Sequence, residues 1–282
     1  MQKTILITGA SSGIGHATAH YFAENGWNVI ATMRHPENET ELTLFDNIYV
    51  TRLDVRDTES IRQAIRTGMK QFDNIDVVLN NAAYGEYGIF EEVPMDRIRA
   101  QFETNVFGVM NVIRSILPYF RTQGSGMIIN ISSAGGRIGL PLMSAYAASK
   151  FAIEGFSESL SYELASQNIM LKIIEPGGVN TPFVQKVADK LERLKEFMCY
   201  DEFIKKATDG SAYMLDENIT PWAVAETIYA AATDGTSRLR YQCINDSPWW
   251  LNAKSHLGDD EYMDYMEDVV GLKPYWDGQL SM

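Results

Sequence analysis

The stretch TILITGASSGIG, Thr4–Gly15, decides the fold, because an apolar run leads directly into a glycine-rich turn and then a helical pattern. Gly9 permits a tight turn off the strand, Gly13 lets the backbone approach a pyrophosphate, and Gly15 lets the helix pack closely on the sheet. A helix N-terminus there offers unpaired N–H groups to phosphates. This context favours a dinucleotide site over a merely glycine-rich turn. The predicted cofactor-binding residues are Gly9, Ser11, Ser12, Gly13, Ile14 and Gly15.

Outward from this stretch, short apolar runs alternate with amphipathic stretches, which predicts an α/β fold with a doubly wound parallel sheet and helices on both faces. The predicted strands are Thr4–Thr8, Asn28–Thr32, Ile48–Leu53, Val77–Asn80, Met127–Ile131, Met170–Glu175 and Arg238–Ile244. The predicted helices are Gly15–Asn25, Thr58–Gln71, Met95–Phe120, Ser144–Gln167 and one that begins near Pro221. We expect one domain over residues 1–282, with a helical insertion at about 183–215 and a helical tail at about 248–282.

The composition excludes several classes of protein. A net charge of -13 argues against nucleic acid and anionic membrane surfaces as partners. No apolar run approaches the roughly 20 residues that span a bilayer, and the N-terminus does not resemble a signal peptide. Cys199 and Cys243 give neither a disulfide framework nor a metal-ligand spacing. We therefore expect a cytoplasmic protein with reduced thiols and no metal.

The end of the second predicted strand bears on the choice of nicotinamide cofactor. Ala31–Arg34 contains no carboxylate that could accept hydrogen bonds from a ribose 2′-hydroxyl. Arg34 could instead pair with a 2′-phosphate, which favours NADP(H) over NAD(H). A solvated surface arginine is the alternative, and NAD(H) remains possible.

The sequence YAASK, Tyr146–Lys150, carries the predicted proton-transfer chemistry. Residues at i and i+4 of a helix share one face, so Tyr146 and Lys150 project together. A phenol has an ordinary pKa near 10, and a neighbouring ammonium would lower it. Tyr146 could then protonate a carbonyl oxygen or deprotonate an alcohol. With 14 tyrosines in the chain, this pair alone is weak evidence.

The glycine turn in the form T-G-x-x-x-G-x-G, the run Asn80–Ala83 and the Tyr146–Lys150 pair together resemble the short-chain dehydrogenase/reductase family, in its compact single-domain branch. The resemblance covers residues 3 to about 181. The tail is similar to 17β-hydroxysteroid dehydrogenase-like members, which implies no steroid substrate. The family implies a Rossmann-type sheet of about seven strands in the order 3-2-1-4-5-6-7. It also implies a homodimer or homotetramer formed through helices near 95–120 and 144–167.

The resemblance assigns further roles near the reacting atoms. Ser133, 13 residues before Tyr146, would orient the substrate oxygen, while the adjacent Ser132 would be a structural hydroxyl. Asn105 would hold a water against Lys150, and Lys150 would also bind the nicotinamide ribose.

The resemblance also assigns the rest of the cofactor site. Asp54 and Val55 would contact the adenine, and Asn81 the adenine ribose region, while Asn80 would brace the sheet. Ala83 replaces the family's glycine, and alanine would be strained if this position required a positive φ. The Val179 backbone and the Thr181 hydroxyl would contact the nicotinamide carboxamide. The remaining cofactor-binding residues are Tyr146, Lys150, Pro176, Val179 and Thr181.

We expect a small, partly apolar ketone or secondary alcohol as substrate. Loops 85–90 and 137–143 would border its pocket, because they follow strand ends. An apolar wall could come from Phe183, Phe197, Met198, Tyr213 and Met214, although an ordinary amphipathic helix explains each of these equally well. The alternatives to an NADP(H)-dependent oxidoreductase are an NAD(H)-preferring dehydrogenase of the same fold and a non-catalytic NADP-sensing regulatory protein. A sugar-nucleotide epimerase fits the glycine spacing poorly.

Overall fold

The computed structural model describes residues 2–181, 198–211, 219–243 and 249–270. Within these ranges the chain forms one seven-stranded sheet in the order β3-β2-β1-β4-β5-β6-β7, with every pairing parallel. This confirms the predicted fold and strand order. The strands are β1 Thr4–Thr8, β2 Asn28–Met33, β3 Ile48–Arg52, β4 Val77–Asn80, β5 Gly126–Ile131, β6 Ile169–Pro176 and β7 Arg240–Cys243.

The described helices are α1 Gly13–Glu24, α2 Thr58–Phe72, α3 Met95–Phe102, α4 Gly108–Gln123, α5 Ser144–Ala165, α6 Asp201–Ser211, α7 Pro221–Thr233, α8 Trp249–His256 and α9 Asp259–Val269. Short 3₁₀ turns lie at Pro36–Asn38, Leu42–Leu44, Ala134–Gly136 and Met198–Tyr200. None of the helices in the described ranges is long and apolar enough to cross a bilayer.

Two apolar cores, one on each face of the sheet, explain why the strands read as short continuous apolar runs. All five residues of β1 are buried. Ile5 and Ile7 belong to the core shared with α1 and α7, whereas Leu6 belongs to the core shared with α2, α4 and α5. Burial on both faces fits the interior position of β1, between β2 and β4, and its carboxyl end leads into the glycine-rich turn.

The prediction of one continuous helix over Met95–Phe120 is wrong in detail. The structure divides it into α3, a π-helical turn at Glu103–Phe107, and α4. A π turn adds one residue to a helical turn and is frequent at functional sites. Here the turn places Asn105 in the interior, with 2% of its surface exposed.

The predicted insertion and tail are partly described. Helix α6 falls within the insertion, and α8 and α9 fall within the tail. Phe183, Phe197, Tyr213 and Met214 lie outside the described residues, as do the side chain of Met198 and position 244 of the seventh predicted strand. Tyr262 and Met266 of α9, with Val270 just after it, pack against Ala134 and Ile138, which follow β5.

Candidate active site

Most of the predicted site residues follow the carboxyl ends of strands β1 to β6, whereas Asn105 lies on the π turn and Tyr146 and Lys150 lie on α5. The sheet order reverses between β1 and β4, because β2 and β3 lie on one side of β1 and the later strands on the other. Ligands of open α/β sheets bind in the crevice outside such a switch point. The site therefore occupies the position that this topology favours.

The glycine-rich turn has the backbone that its sequence predicts. Gly9 and Gly13 have φ values of 71° and 57°, which glycine adopts without strain. A Cβ on Gly15 would lie 2.4 Å from the Gly9 carbonyl oxygen, so the helix could not approach as closely with another residue. Ser12 precedes α1 with extended backbone, and its side chain makes no capping bond. An uncapped helix N-terminus beside this turn fits the pyrophosphate of a dinucleotide.

Asn81 braces the glycine-rich turn. Its amide nitrogen donates to the carbonyl oxygens of Thr8 and Gly9, both at 3.0 Å. Its backbone N–H donates to the Thr8 hydroxyl oxygen at 3.0 Å, and that of Ala82 donates to the same oxygen at 3.1 Å. These bonds tie the end of β4 to the turn after β1. The predicted contact of Asn81 with the adenine ribose stays a prediction.

The Asn80 side chain takes part in a buried chain of hydrogen bonds between neighbouring elements. Its amide nitrogen donates to Asn130 Oδ1 at 2.8 Å, and Asn130 Nδ2 donates to the Ser157 hydroxyl at 2.8 Å. This chain joins β4, β5 and α5. Ala83 has no positive φ: within the described ranges, the residues other than glycine with one are Asp73, Leu142 and Asn168. Ala83 therefore replaces the family's glycine without backbone strain.

The predicted adenine end of the site contains an ion pair that sequence analysis missed. Arg56 donates to Asp54 through Nε at 3.2 Å and through Nη2 at 3.1 Å. These hydrogen bonds from Arg56 lower the pKa of the Asp54 carboxyl, against the opposing effect of burial, and the charge of Arg34 lowers it further. The basic residue two positions after Asp54 was the sequence feature from which this ion pair could have been predicted. Val55 is buried and packs on α4, where a Cβ on Gly108 would lie 2.6 Å from it.

Arg34 is exposed at the end of β2 and, among the described residues, forms no ion pair. Its charge acts on Asp54, so it lies on the same side of the site as the predicted adenine contact. A cation there can approach a phosphate on the adenine ribose without first breaking an internal bond.

Tyr146 and Lys150 lie together on the buried face of α5. Their exposed fractions are 6% and 3%, and Lys150 Nζ lies 5.8 Å from the centre of the Tyr146 ring. The ammonium donates to the Ile131 carbonyl oxygen at 2.9 Å. Burial raises the pKa of Tyr146 to about 12, and a hydrogen bond with Ser133 opposes this. The expectation of a lowered phenol pKa is wrong here, because desolvation of Tyr146 outweighs any effect of Lys150.

Ser133 and Asn105 flank this pair. Ser133 starts the 3₁₀ turn after β5, and its hydroxyl accepts from the Gly135 N–H at 3.1 Å. Asn105 Oδ1 accepts from the Tyr84 N–H at 3.1 Å, and Asn105 Nδ2 donates to the Tyr84 carbonyl oxygen at 2.9 Å and to the Ser149 hydroxyl at 3.1 Å. Asn105 therefore joins the loop after β4 to α5, next to Lys150. The predicted water between Asn105 and Lys150 stays a prediction.

The predicted nicotinamide end follows β6, whose last residue is Pro176. Val179 is buried, and a Cβ on Gly13 would lie 3.3 Å from Thr181 Cγ2. Thr181 thus lies against the glycine-rich turn. The Asn180 N–H donates to the Ile219 carbonyl oxygen at 3.1 Å, which ties this loop to the start of α7.

The two loops predicted to border the substrate pocket are joined to each other. The Gly88 N–H donates to the Leu142 carbonyl oxygen at 2.9 Å, and Leu142 has a φ of 62°, a conformation that costs energy in a residue other than glycine. Tyr87 stacks on Tyr146 with ring centres 6.1 Å apart. Sequence analysis missed Tyr87, whose stacking partner lies 59 positions away along the chain.

Comparison with known proteins agrees with this geometry. Residues 3–192 match the family model described as short chain dehydrogenase. An uncharacterized oxidoreductase of Schizosaccharomyces pombe is 38% identical over 241 residues, which are 85% of this chain and 100% of that protein. A 3-ketodihydrosphingosine reductase of Bacteroides thetaiotaomicron is 40% identical over 181 residues, 64% of this chain and 65% of that protein. The solved structure of ElxO with NADP bound has a TM-score of 0.72 at 27% identity and covers 86% of this chain and 98% of its own.

Proposed function

The chain belongs to the short-chain dehydrogenase family, and on that premise we propose that it is an NADP(H)-dependent oxidoreductase that interconverts a small, partly apolar ketone and its secondary alcohol. Its relatives include an uncharacterized oxidoreductase and a 3-ketodihydrosphingosine reductase. The chain is an oxidoreductase that acts on the CH–OH/C=O pair. What we propose beyond this class is the preference for NADP(H), the kind of substrate and the role of Tyr146.

The observation that carries the proposal is the group formed by the buried Tyr146 and Lys150 and the half-buried Ser133. A bound nicotinamide would supply or accept a hydride at its C4 atom. Tyr146, whose pKa is about 12, holds its proton at neutral pH and can give it to the oxygen of a ketone. Ser133 bonds to Tyr146 and can hydrogen-bond the same oxygen. In the reverse direction Tyr146 must first lose its proton, and the phenolate then takes the proton from the alcohol as hydride leaves the carbon.

The proposed preference for NADP(H) is supported by Arg34 and by the lack of a carboxylate in Ala31–Arg34. Arg34 is exposed and lies on the adenine side of the site, near Asp54. The solved structure of ElxO, which is 27% identical to this chain, contains NADP and supports this proposal. An NAD(H)-preferring enzyme is the alternative on the same fold.

Purified protein is first titrated with NADPH and NADH by fluorescence and then screened with ketones. Two variants then test the proposal. Tyr146→Phe should reduce turnover at least about 100-fold, since general acid catalysis contributes that much, with NADPH binding retained. Tyr162→Phe is the matched control, because Tyr162 lies on the same helix with 74% exposure. Near-full activity of Tyr146→Phe would refute the proposed mechanism, and NADPH binding without turnover of any substrate would favour the regulatory alternative.

The second variant, Arg34→Gln, should weaken NADPH binding by about tenfold or more, the cost of losing a charged hydrogen bond. NADH, which lacks the 2′-phosphate, should bind as before. Wild-type protein that binds NADH more tightly than NADPH would overturn the proposed preference.

We also propose a cytoplasmic homodimer or homotetramer that assembles through α4 and α5. Phe107, next to α4, and Phe151 on α5 expose 48% and 46% of their surfaces, so apolar area is available on these helices. Cys199 and Cys243 are both free thiols, in keeping with a reducing compartment. A monomer by light scattering at micromolar concentration would count against the assembly.

A further inference from the structure

Tyr87 is an aromatic side chain next to the reacting group that has no part in the proposed proton transfer. Its ring stacks on the Tyr146 ring, with the ring centres 6.1 Å apart and the planes inclined by 28°. Tyr87 is half-buried, whereas Tyr146 exposes 6% of its surface. Burial raises the pKa of Tyr87, so its hydroxyl keeps the proton at neutral pH. Tyr87 therefore borders the site as an uncharged aromatic surface.

The residue before Tyr87 is fixed to α3. The Glu86 N–H donates to Gln101 Oε1, and Gln101 is fully buried. The Glu86 carboxylate is also buried and pairs with Arg97, one helical turn before Gln101. These contacts anchor both the backbone and the side chain of Glu86, so the chain enters position 87 in a defined place.

The residue after Tyr87 is held by the loop that precedes α5. The Gly88 N–H donates to the Leu142 carbonyl oxygen at 2.9 Å. Gly88 has a φ of 139°, which favours glycine, and Leu142 has a φ of 62°, which costs energy in leucine. Strain of this kind persists only where the surrounding structure determines it, and it is frequent at ligand sites. Tyr87 is thus held on both sides, and its ring cannot easily leave Tyr146.

A ketone that reacts at this site must come close to the Tyr87 ring. In the proposed function the ketone oxygen accepts a hydrogen bond of about 2.7 Å from the Tyr146 hydroxyl. The carbonyl carbon and its two substituents then lie next to the stacked pair of rings. An aromatic ring attracts another ring, face to face with an offset or edge to face, beyond what the buried area alone supplies. A saturated ring of the same size gains only from the buried area.

We propose that Tyr87 is a specificity-determining residue whose fixed ring selects ketones that carry a flat aryl group on the carbonyl carbon. The inference rests on the proposed function and deepens it, because it names a substrate class for the same site. Loss of the Tyr87 ring should change which ketone is preferred. A ring that only supported Tyr146 would instead affect all ketones alike.

Two ketones with the same number of heavy atoms are the probes: acetophenone, which has an aryl ring, and cyclohexyl methyl ketone, whose ring is saturated. The measured quantity is the ratio of their kcat/KM values with NADPH. Comparing this ratio between variants cancels the difference in intrinsic reactivity of the two ketones. Tyr87→Leu should lower the ratio of acetophenone to cyclohexyl methyl ketone about three- to tenfold, the value of one aromatic pair. Tyr87→Phe keeps the ring and should keep the ratio.

Phe90→Leu is the matched control, because Phe90 lies on the same loop with 61% exposure and the change removes the same kind of ring. Its ratio should equal that of wild type. If Tyr87→Leu does not fold, Tyr87→Met replaces the ring with an unbranched chain that fills irregular gaps, and the ratio should fall in the same way. A ratio unchanged in the folded Tyr87 variant, or lowered equally in Phe90→Leu, would overturn the inference.

Calorimetry separates failure of this inference from failure of the proposed function. Each ketone is titrated into protein saturated with NADP⁺, which has no hydride to donate, so the ratio of the two dissociation constants is measured without turnover. Tyr87→Leu should shift this ratio against acetophenone by the same factor as the ratio of kcat/KM values. Wild-type protein that shows the Tyr87-dependent binding preference but reduces neither ketone with NADPH would refute the proposed function alone.

Discussion

Asn105 offers the sharpest test of how the site is built. Its side chain makes three hydrogen bonds, two to the backbone of Tyr84 and one to the Ser149 hydroxyl, at 2.9–3.1 Å. Each such bond contributes about 1 kcal/mol net, and a buried group left without a partner costs more. Asn105→Ala should therefore lower the free energy of unfolding by about 3 kcal/mol, a large share of the usual total of about 5–15 kcal/mol.

The assay is urea unfolding followed by circular dichroism. Asn111→Ala is the control: Asn111 lies on α4, is half-buried and makes one 3.4 Å bond to the Val55 carbonyl oxygen. Its cost should be about 1 kcal/mol or less. Equal free energies of unfolding for the two variants would refute the prediction. They would show that the three hydrogen bonds of Asn105 do not stabilise the contact between the loop after β4 and α5.

Three further outcomes follow from single positions. Gly15→Ala should weaken NADPH binding about tenfold or more, since its Cβ would lie 2.4 Å from a backbone oxygen of the glycine turn, whereas Gly155→Ala, with open space around it, should not. Burial acts to raise the pKa of Asp234, but hydrogen bonds, first that from Lys172, lower it far below 3.8. Its stabilising contribution is thus complete above the unfolded pKa and lost as pH falls below it, so stability measured from pH 5 to 2 should fall less in Asp234→Asn than in wild type. Tyr262→Phe should leave stability unchanged or raise it by up to about 1 kcal/mol, because the Tyr262 hydroxyl is buried without a partner; a clear drop in melting temperature would contradict this.

The sheet could be predicted from sequence because its determinants are local. Each strand is a short apolar run, and the run Thr4–Thr8 coincides with β1. The seventh strand begins at Arg240, two residues later than predicted, because the Arg238 backbone N–H donates to the Thr236 hydroxyl and not to β6. The glycine turn was equally readable, since its positive φ values and close approach can be met only by glycine.

The features that sequence analysis missed depend on distant pairs. The bond between Arg240 and Glu154 joins residues 86 positions apart. The π turn could not be predicted from the local sequence either, because Glu103–Phe107 fits the helical pattern of the residues before and after it. A polar residue inside a helix was the only hint, because asparagine there disfavours the helix unless its side chain is bonded.

The electrostatics of the Tyr146–Lys150 pair reverse the expectation drawn from its spacing. Spacing alone suggested an ammonium that lowers the phenol pKa, yet burial raises the pKa of Tyr146 and lowers that of Lys150. Both shifts have one cause, desolvation, and both favour the neutral forms over a phenolate–ammonium pair. A protonated phenol suits the donation of a proton to a ketone, whereas alcohol oxidation requires the charged pair.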